Sequence, residues 1–446
     1  MSQHSQFHLL GTRRFLPFFL TQLLGAFNDN VFKQALVLAI LYKLGTAGDV
    51  SLQVNLCALL FILPFFLFSA LGGQLGEKYE KAWLIRRVKF AEILIMLAGA
   101  LGMLLGNLPL LLVVLFFMGS QSALFGPVKY SILPQQLRSD ELVGGNALVE
   151  MGTFLAILGG TITAGVLMGQ AHYAVLVALA VVLLAVAGFA FSRAIPPAAA
   201  ALPTLRLDWN LLRQSLGILR LGLGQQRAVS RAMIGNSWFW FLGAVYLTQI
   251  PALSRDLLHG DEGVVTLILA VFSIGIALGS MLCERLSKHR LELGLVPFGS
   301  FGLTLFGVLL WWHAEGVPGA AEVRNWQALL ADPAARRVLL DILGLGTFGG
   351  LYIVPLYALI QARTPREERS RVVAANNILN ALFMVVSAVV SILFLSVAGL
   401  SIPQLFLAVA LFNVVVAGWI FLSVPEFIVR LRLWLSGRQP PANSIR

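Results

Sequence analysis

The chain has 446 residues, 58% of them apolar and only 12% charged, with a formal net charge of +11. Soluble domains carry about 25% charged residues, so a disordered chain, a collagen-like chain and an ordinary soluble enzyme are excluded. A membrane protein of many spans remains, because a spanning helix needs about 20 apolar residues and this length holds roughly a dozen. The two cysteines, Cys57 and Cys283, stand in apolar stretches. They cannot build a disulfide framework, and no CxxC or Cys/His zinc spacing exists, so no metal or cofactor is expected.

Apolar runs between charged loops predict twelve membrane helices, at about 15–43, 52–75, 84–106, 109–137, 143–169, 172–194, 231–253, 263–284, 291–313, 337–362, 371–398 and 402–424. The first run follows Arg13 and Arg14 and begins with signal-peptide length. No small-x-small cleavage site follows; Asn28, Asp29, Asn30 and Lys33 do, and a second apolar stretch continues. One long helix with a polar centre is predicted.

Lys and Arg crowd into the segments that lie inside if the N-terminus is cytoplasmic. The outer loops then hold only Lys43, Arg255, Arg324, Arg336 and Arg337. This positive-inside bias puts both termini in the cytoplasm. It also explains the basic balance through anionic inner-leaflet lipid, so no nucleic-acid partner is expected.

The longest cytoplasmic connection, 195–230, divides an N-terminal six-helix bundle (1–194) from a C-terminal one (231–424), with a cytoplasmic tail at 425–446. In the connection Arg206, Arg213, Arg220 and Arg227 recur every seven residues. On a helix they share one face, with Leu205, Leu212, Leu216 and Leu219 on the flanks. Two readings stand: an amphipathic helix on the inner membrane surface, or a basic linker.

The halves repeat. After span 2 the sequence is Gly72-Gly-Gln-Leu-Gly-Glu77-Lys78-Tyr-Glu-Lys81; after span 8 it is Gly279-Ser-Met-Leu-Cys-Glu284-Arg285-Leu-Ser-Lys288. Asn146 with Glu150 at the entry to span 5 is echoed by Asn376 with Asn380 at span 11. A six-plus-six parallel repeat is the architecture of the major facilitator superfamily. The expected fold is an all-α membrane protein of twelve transmembrane helices in two pseudo-symmetric six-helix bundles. The Gly72–Lys81 stretch resembles that superfamily's signature between helices 2 and 3, with Glu77 and Lys78 in place of the usual aspartate and arginine. Glu77, Lys78, Lys81, Glu284 and Arg285 are candidates for a charge lock that breaks when the halves rock. The alternative is a solvated turn.

Five ionisable residues lie well inside spans of the first half: Asp29, Lys33, Glu92, Lys129 and Glu150. Each costs about 2.5–3.5 kcal/mol at a helix centre on insertion scales, so such groups pair or line a wet cavity. Asp29 and Lys33 are four apart with the acid first, a favourable order. Lys129 and Glu150 fall at similar depth. Glu92 has Lys89 three residues away and reads as structural. Gln22, Asn28 and Asn30 add amides to span 1. The second half offers Asn236, Trp238 and Trp240 in span 7 and Asn376, Asn377 and Asn380 in span 11. The tryptophans also suit an interfacial belt. A charged polar half facing an apolar half with amides suits an amphiphilic substrate.

Three strings carry a family resemblance: Gly25-Ala-Phe-Asn28-Asp29-Asn30-Val-Phe-Lys33, Phe125-Gly-Pro-Val-Lys129-Tyr130-Ser-Ile-Leu-Pro134, and Asn146-Ala-Leu-Val-Glu150. They look like those of the bacterial lysophospholipid transporters, most nearly the transporter domain fused in some bacteria to a 2-acylglycerophosphoethanolamine acyltransferase. Asn376-Asn377 and Val424-Pro-Glu-Phe427 belong to the same pattern, and the resemblance runs from about residue 11 to 434. It implies movement of lysophosphatidylethanolamine and related lysophospholipids from the outer to the inner leaflet of the bacterial inner membrane for reacylation, by alternating access. It also implies that Asp29 meets the headgroup ammonium and Lys129 the phosphate, with Glu150 beside them. No HxxxxD acyltransferase signature follows any histidine. The expected partners are therefore the substrate, membrane lipid and a separate cytoplasmic acyltransferase, with Arg430, Arg432 and Arg438 of the tail as a candidate dock, and the expected state is a monomer. A proton-coupled exporter of a drug or other small amphiphile, with Asp29 as proton carrier, is the alternative. A membrane enzyme is disfavoured, since His4 and His8 are terminal, His172, His259 and His313 fall outside or at the outer edge, and His289 on the inner face lacks catalytic neighbours.

Overall fold

The computed structural model describes residues 6–44, 50–288, 290–317 and 322–437. His4, His289 and Arg438 lie outside them. A backbone in hydrocarbon must satisfy its own polar groups, which leaves an apolar chain the helix. The twelve expected spans are α1 (Leu16–Ala39), α2 (Val50–Lys78), α3 (Lys81–Leu105), α4 (Leu108–Gln136), α5 (Leu142–Met168) and α6 (Tyr173–Ser192). After a short α7 (Leu211–Leu223) come α8 (Arg227–Ala252), α9 (Glu262–Ser287), α10 (Leu295–Glu315), a one-turn α11 (Trp326–Ala331), α12 (Pro333–Arg363), α13 (Arg369–Ile392), α14 (Ile402–Ser423) and a terminal α15 (Glu426–Leu435). Ten of these are long and apolar enough to cross a membrane. Helices α1 and α8 have similar length but carry more polar residues: Gln22, Asn28, Asp29, Asn30 and Lys33 in the first, Arg227, Arg231 and Asn236 in the second.

Several helix ends are set by short polar side chains. Glu80 accepts from Ala82 N and Trp83 N to start α3, and Asn107 accepts from Leu110 N to start α4. Gly106, at φ 60°, ends α3 in the left-handed conformation that glycine adopts freely. Asp261 caps α9, and Ser401 with Gln404 forms a reciprocal capping box on α14.

Packing divides the chain into two units. The first comprises Met1–Gly145, Gly152–Gln225 and Gln361–Ala381; the second comprises Asn146–Met151, Gln226–Ile360 and Leu382–Arg446. In the first, α1, α3, α4 and α6 enclose a core around Phe32, Leu36, Met96, Leu115 and Val181. Helices α2 and α4 touch backbone to backbone: a methyl on Gly72 would stand 2.9 Å from the Leu124 Cα and carbonyl oxygen. The second unit repeats this seam between α9 and α12, where a methyl on Gly279 would collide with the Thr347 backbone. The internal repeat at Gly72 and Gly279 is thus a packing device used twice.

The connection 195–230 corrects one expectation. Asn210 accepts from Arg213 N and starts α7, and Gly224 ends it. Only Arg213 and Arg220 of the arginine series are on that helix. Arg206 precedes it and Arg227 opens α8, so there is no four-arginine face. The amphipathic helix itself is present. Gln214, Ile218 and Gly222 are buried, Gln74 Nε2 donates to Gln214 Oε1 at 2.5 Å, and Ser215 Oγ donates to the Phe66 carbonyl at 3.1 Å on α2. Leu212, Leu216 and Leu223 stay exposed beside the arginines, the pattern of a helix at an apolar–polar boundary.

Arg14, just before α1, forks onto Glu141, just before α5, with Nη1–Oε2 at 2.6 Å, and Arg138 N adds a bond to Oε2 at 2.9 Å. Partial burial pushes the Glu141 carboxyl up, but these bonds and the two guanidinium charges outweigh it and hold it below its ordinary value of 4.5. A depressed acid stabilises the fold above its unfolded value, and that contribution fades as pH falls through the folded one. With solvent at the pair it is worth under about 1 kcal/mol. Thermal melts of wild type and Glu141→Gln should therefore differ at pH 7 and converge below about pH 4. Equal melts at pH 7 would contradict this.

Candidate functional site

Two polar clusters interrupt the apolar interior of the first unit. The upper one joins α1, α3 and α4. Lys89 Nζ meets Glu92 Oε2 at 2.6 Å, with both side chains almost fully sealed. Asn28 Nδ2 donates to Glu92 Oε1 and Gln121 Nε2 to Glu92 Oε2, each at 3.1 Å. The Lys89 ammonium also lies 5.1 Å from the Phe125 ring centroid. A methyl on Gly25 would overlap that ammonium, so the glycine of α1 makes its room. The expected pairing of Glu92 with Lys89 is present, and the pair is anchored on three helices rather than one.

Asp29 belongs to the same cluster but stands differently. Its Oδ2 accepts from Ser122 Oγ at 2.5 Å, it is only half-buried, and it feels the charges of Glu92, Lys89 and Lys33. Lys33 is half-buried too and lies 5.0 Å from the Phe61 ring centroid. Asp29 and Lys33 form no ion pair within 4 Å. Their i,i+4 spacing allows one, but Ser122 holds the carboxylate on the α4 side and Phe61 of α2 takes the ammonium. Asn30 is satisfied on its own helix, donating to the Ala26 carbonyl at 2.7 Å.

The lower cluster joins α1, α4 and α5. Lys129 Nζ donates to Thr153 Oγ1 at 2.9 Å, and Thr153 Oγ1 donates to Gln22 Oε1 at 3.3 Å. The ammonium lies 5.1 Å from the ring centroid of its neighbour Tyr130. Gln22 Nε2 is buried without a partner, a position that normally costs about 1–3 kcal/mol unless water or ligand fills it. Gln22 and Asp29 are seven residues apart on α1, about 10.5 Å along its axis. Asn376, Asn377 and Asn380, on the part of α13 that packs in this unit, are all buried. The Nδ2 of Asn377 lies where a methyl on Gly126 of α4 would reach 2.5 Å.

Asn146 and Glu150 are fully buried on the one stretch of α5 that packs in the second unit. In that unit Asn236 is buried with both amide atoms unpartnered. Trp238 is neither an interfacial anchor nor free to offer its N–H. It is buried, stacked on Phe241 with centroids 4.6 Å apart, and donates through Nε1 to Asn413 Oδ1 at 2.8 Å. Asn413 Nδ2 in turn donates to the Ser300 carbonyl at 2.9 Å and Thr304 Oγ1 at 2.9 Å. Sequence reasoning missed this network, as it missed Gln121, Ser122 and Thr153. Gln121 shares a face of α4 with Phe125 and Lys129 at four-residue spacing, which was the available signal. It also missed a charge in the second half: Asp341 of α12 is buried and bonded to His313 Nδ1 of α10 at 2.6 Å.

The α2–α3 turn engages a residue the sequence did not single out. Glu77, fully buried, accepts from Arg371 Nε at 2.6 Å and from Arg371 N at 3.1 Å. Lys78 Nζ instead donates to the Leu205 carbonyl at 2.9 Å, and Lys81 is buried with its N–H on the Ala198 carbonyl at 3.0 Å. Glu284 is buried and Arg285 exposed in the second unit.

The sequence model of the Major Facilitator Superfamily matches residues 18–329. Among named relatives, the lysophospholipid transporter LplT of Escherichia fergusonii is 31% identical over 347 residues, covering 77% of this chain and 78% of the relative. LplT of Salmonella heidelberg is 30% identical over 351 residues, covering 78% and 79%. Two solved structures share the fold at low identity. The human organic anion transporter MFSD10 (TETRAN) has a TM-score of 0.70 at 13% identity over 95% of this chain and 99% of its own. The Escherichia coli fucose:proton symporter FucP has a TM-score of 0.68 at 12% identity over 92% and 99%.

Proposed function

The chain belongs to the major facilitator superfamily and, within it, to the family of the LplT lysophospholipid transporters, and on that premise we propose that it carries lysophospholipids across the bacterial inner membrane. The observation that bears the reading is the contrast within the first unit. Lys89 and Glu92 are sealed and neutralise each other, whereas Asp29 is held by a single hydroxyl, has no ion pair within 4 Å and is less completely sealed. An acid inside a span that no cation pairs with marks a functional site by default.

The substrate is lysophosphatidylethanolamine or a close relative. Its ammonium meets Asp29, and its phosphate meets Lys129 with the free amide nitrogen of Gln22. An acid on α1 and a base on α4, each with its own hydrogen-bond partner, suit a zwitterion better than either ion alone. The single acyl chain lies against apolar walls, as it would against lipid. Transport runs from the outer to the inner leaflet by alternating access, with both termini cytoplasmic. The Glu77–Arg371 pair is the charge lock of the transport cycle, and a separate acyltransferase on the cytoplasmic face consumes the product.

The test is translocation of labelled lysophosphatidylethanolamine by purified protein in proteoliposomes, with and without an imposed proton gradient. Wild type should move the lipid without the gradient. Asp29→Asn and Lys129→Ala should each lower the rate at least about tenfold, the loss of one charge-assisted contact, while eluting as folded protein. No movement above protein-free liposomes would refute the proposal, and movement only with the gradient would favour a proton-coupled carrier.

A further inference from the structure

A cavity of about 260 Å³ opens between the end of α4 (Pro134 and Gln135), the linker segment 197–199, and Arg366 and Arg369 at the α12–α13 turn. All of these belong to the first unit. We propose that this cavity is a binding site for a phosphate-bearing anion, separate from the transported substrate. Pockets that enclose a whole drug-sized molecule run to about 300–1,000 Å³, and this one, at the lower edge of that range, has room for a free phosphate or the head of a lipid.

The charges point the same way. Arg366 and Arg369 both line the cavity, and the buried Lys81 lies within electrostatic reach of both. Neither arginine has a carboxylate partner within 4 Å. Arg366 Nη2 reaches only the Ala199 carbonyl at 3.4 Å, and Arg369 Nη2 the Thr364 carbonyl at 3.1 Å. Arg369 Nε is buried with no acceptor at all.

The nearby acids form no hydrogen bond to either arginine, although Glu77 and Glu80 act through space on Lys81 and Glu367 on Arg369. Glu77 is held by Arg371, and Glu80 by the N–H groups of Ala82, Trp83 and Ala198. Glu368 accepts from Gln225 at 2.7 Å, and the exposed Glu367 bonds neither guanidinium. Two guanidiniums that repel each other at one cavity, with the Lys81 charge behind them, are stabilised by an anion that accepts from both. The first turn of α13, starting at Arg369, adds the positive end of a 24-residue helix. A bound phosphate would also tie the linker, the end of α4 and the α12–α13 turn together.

The experiment uses the full-length protein in delipidated detergent micelles and reads the thermal midpoint against added anion. Inorganic phosphate, phosphatidylglycerol and, as a control, phosphatidylcholine are titrated separately. A saturable rise is expected with at least one of the first two and none with phosphatidylcholine. Response to inorganic phosphate identifies a free anion as sufficient, and response to phosphatidylglycerol alone identifies a lipid headgroup. Arg366→Gln combined with Arg369→Gln should weaken the apparent affinity at least tenfold. Arg138→Gln, at an exposed arginine paired with Asp140, should not change it. Arg366→Gln alone, at an exposed side chain, keeps the comparison available if the double variant fails to fold. No saturable rise with either anion, or a rise that the Arg366 and Arg369 variants retain in full, would overturn the proposal.

Discussion

Replacing Lys89 by methionine should be among the most damaging single changes to folding in the first unit. The substitution leaves the Glu92 carboxylate sealed among Asn28 and Gln121 amides with no cation beside it. Removing one partner of a buried ion pair typically costs about 3–5 kcal/mol. That is a large share of the roughly 5–15 kcal/mol that holds a folded domain together. The variant should express poorly and lose most of its monodisperse peak in detergent. Adding Glu92→Gln should recover much of the loss, because the neutral amide keeps hydrogen bonding to Asn28 and Gln121 without a stranded charge. A double-variant cycle on thermal midpoints measures the coupling. If Lys89→Met melts with the wild type, or the second change brings no recovery, the pair is not the brace described.

The second large effect is expected at Glu77. Its carboxylate accepts both the side chain and the backbone N–H of Arg371, so Glu77→Ala removes two charge-assisted bonds and leaves a guanidinium without its acid. Loss of one member of a desolvated charge pair costs about 2–5 kcal/mol. If the pair holds one state of the transport cycle, that cost biases the cycle away from the state. Transport in proteoliposomes should fall by more than tenfold while the protein stays folded. Exchange of the charges, Glu77→Arg with Arg371→Glu, should restore part of the rate. A structural role alone would instead lower the melting temperature in both variants and leave the rate per folded molecule unchanged.

The sequence disclosed the layout because bilayer physics acts on composition, which a linear reading can count. All twelve expected spans are helices, yet α2, α3 and α12 run several residues past their expected bounds. Charged residues such as Glu77 and Lys78 in the last turn of α2 and Lys81 at the start of α3 lower hydropathy while remaining helical. Lys89 with Glu92 was legible because three-residue spacing puts them on one helix face. The partner of Glu77 was not, since Arg371 lies 294 residues away and only the fold brings it near. Asp341 was passed over because it falls close to the expected start of its span, whereas α12 begins earlier, at Pro333. Trp238 was misjudged because a tryptophan in a membrane helix suits the boundary and the interior equally, and its direction is decided by Asn413 on α14. The arginine series failed for a local reason: a seven-residue repeat matters only if one helix contains it, and Asn210 and Gly224 bound a helix too short to do so.

Gly72 and Gly279 also set a limit on redesign. Each sits at the same kind of joint, and a joint with room for nothing larger than hydrogen admits no side chain. The linings are not bound in this way, and they already differ. The interior of the first unit holds Asp29, Lys89, Glu92 and Lys129; that of the second holds an Asn413-centred amide network and the His313–Asp341 couple. An engineer seeking a new cargo should therefore recast the linings one unit at a time and leave both joints untouched.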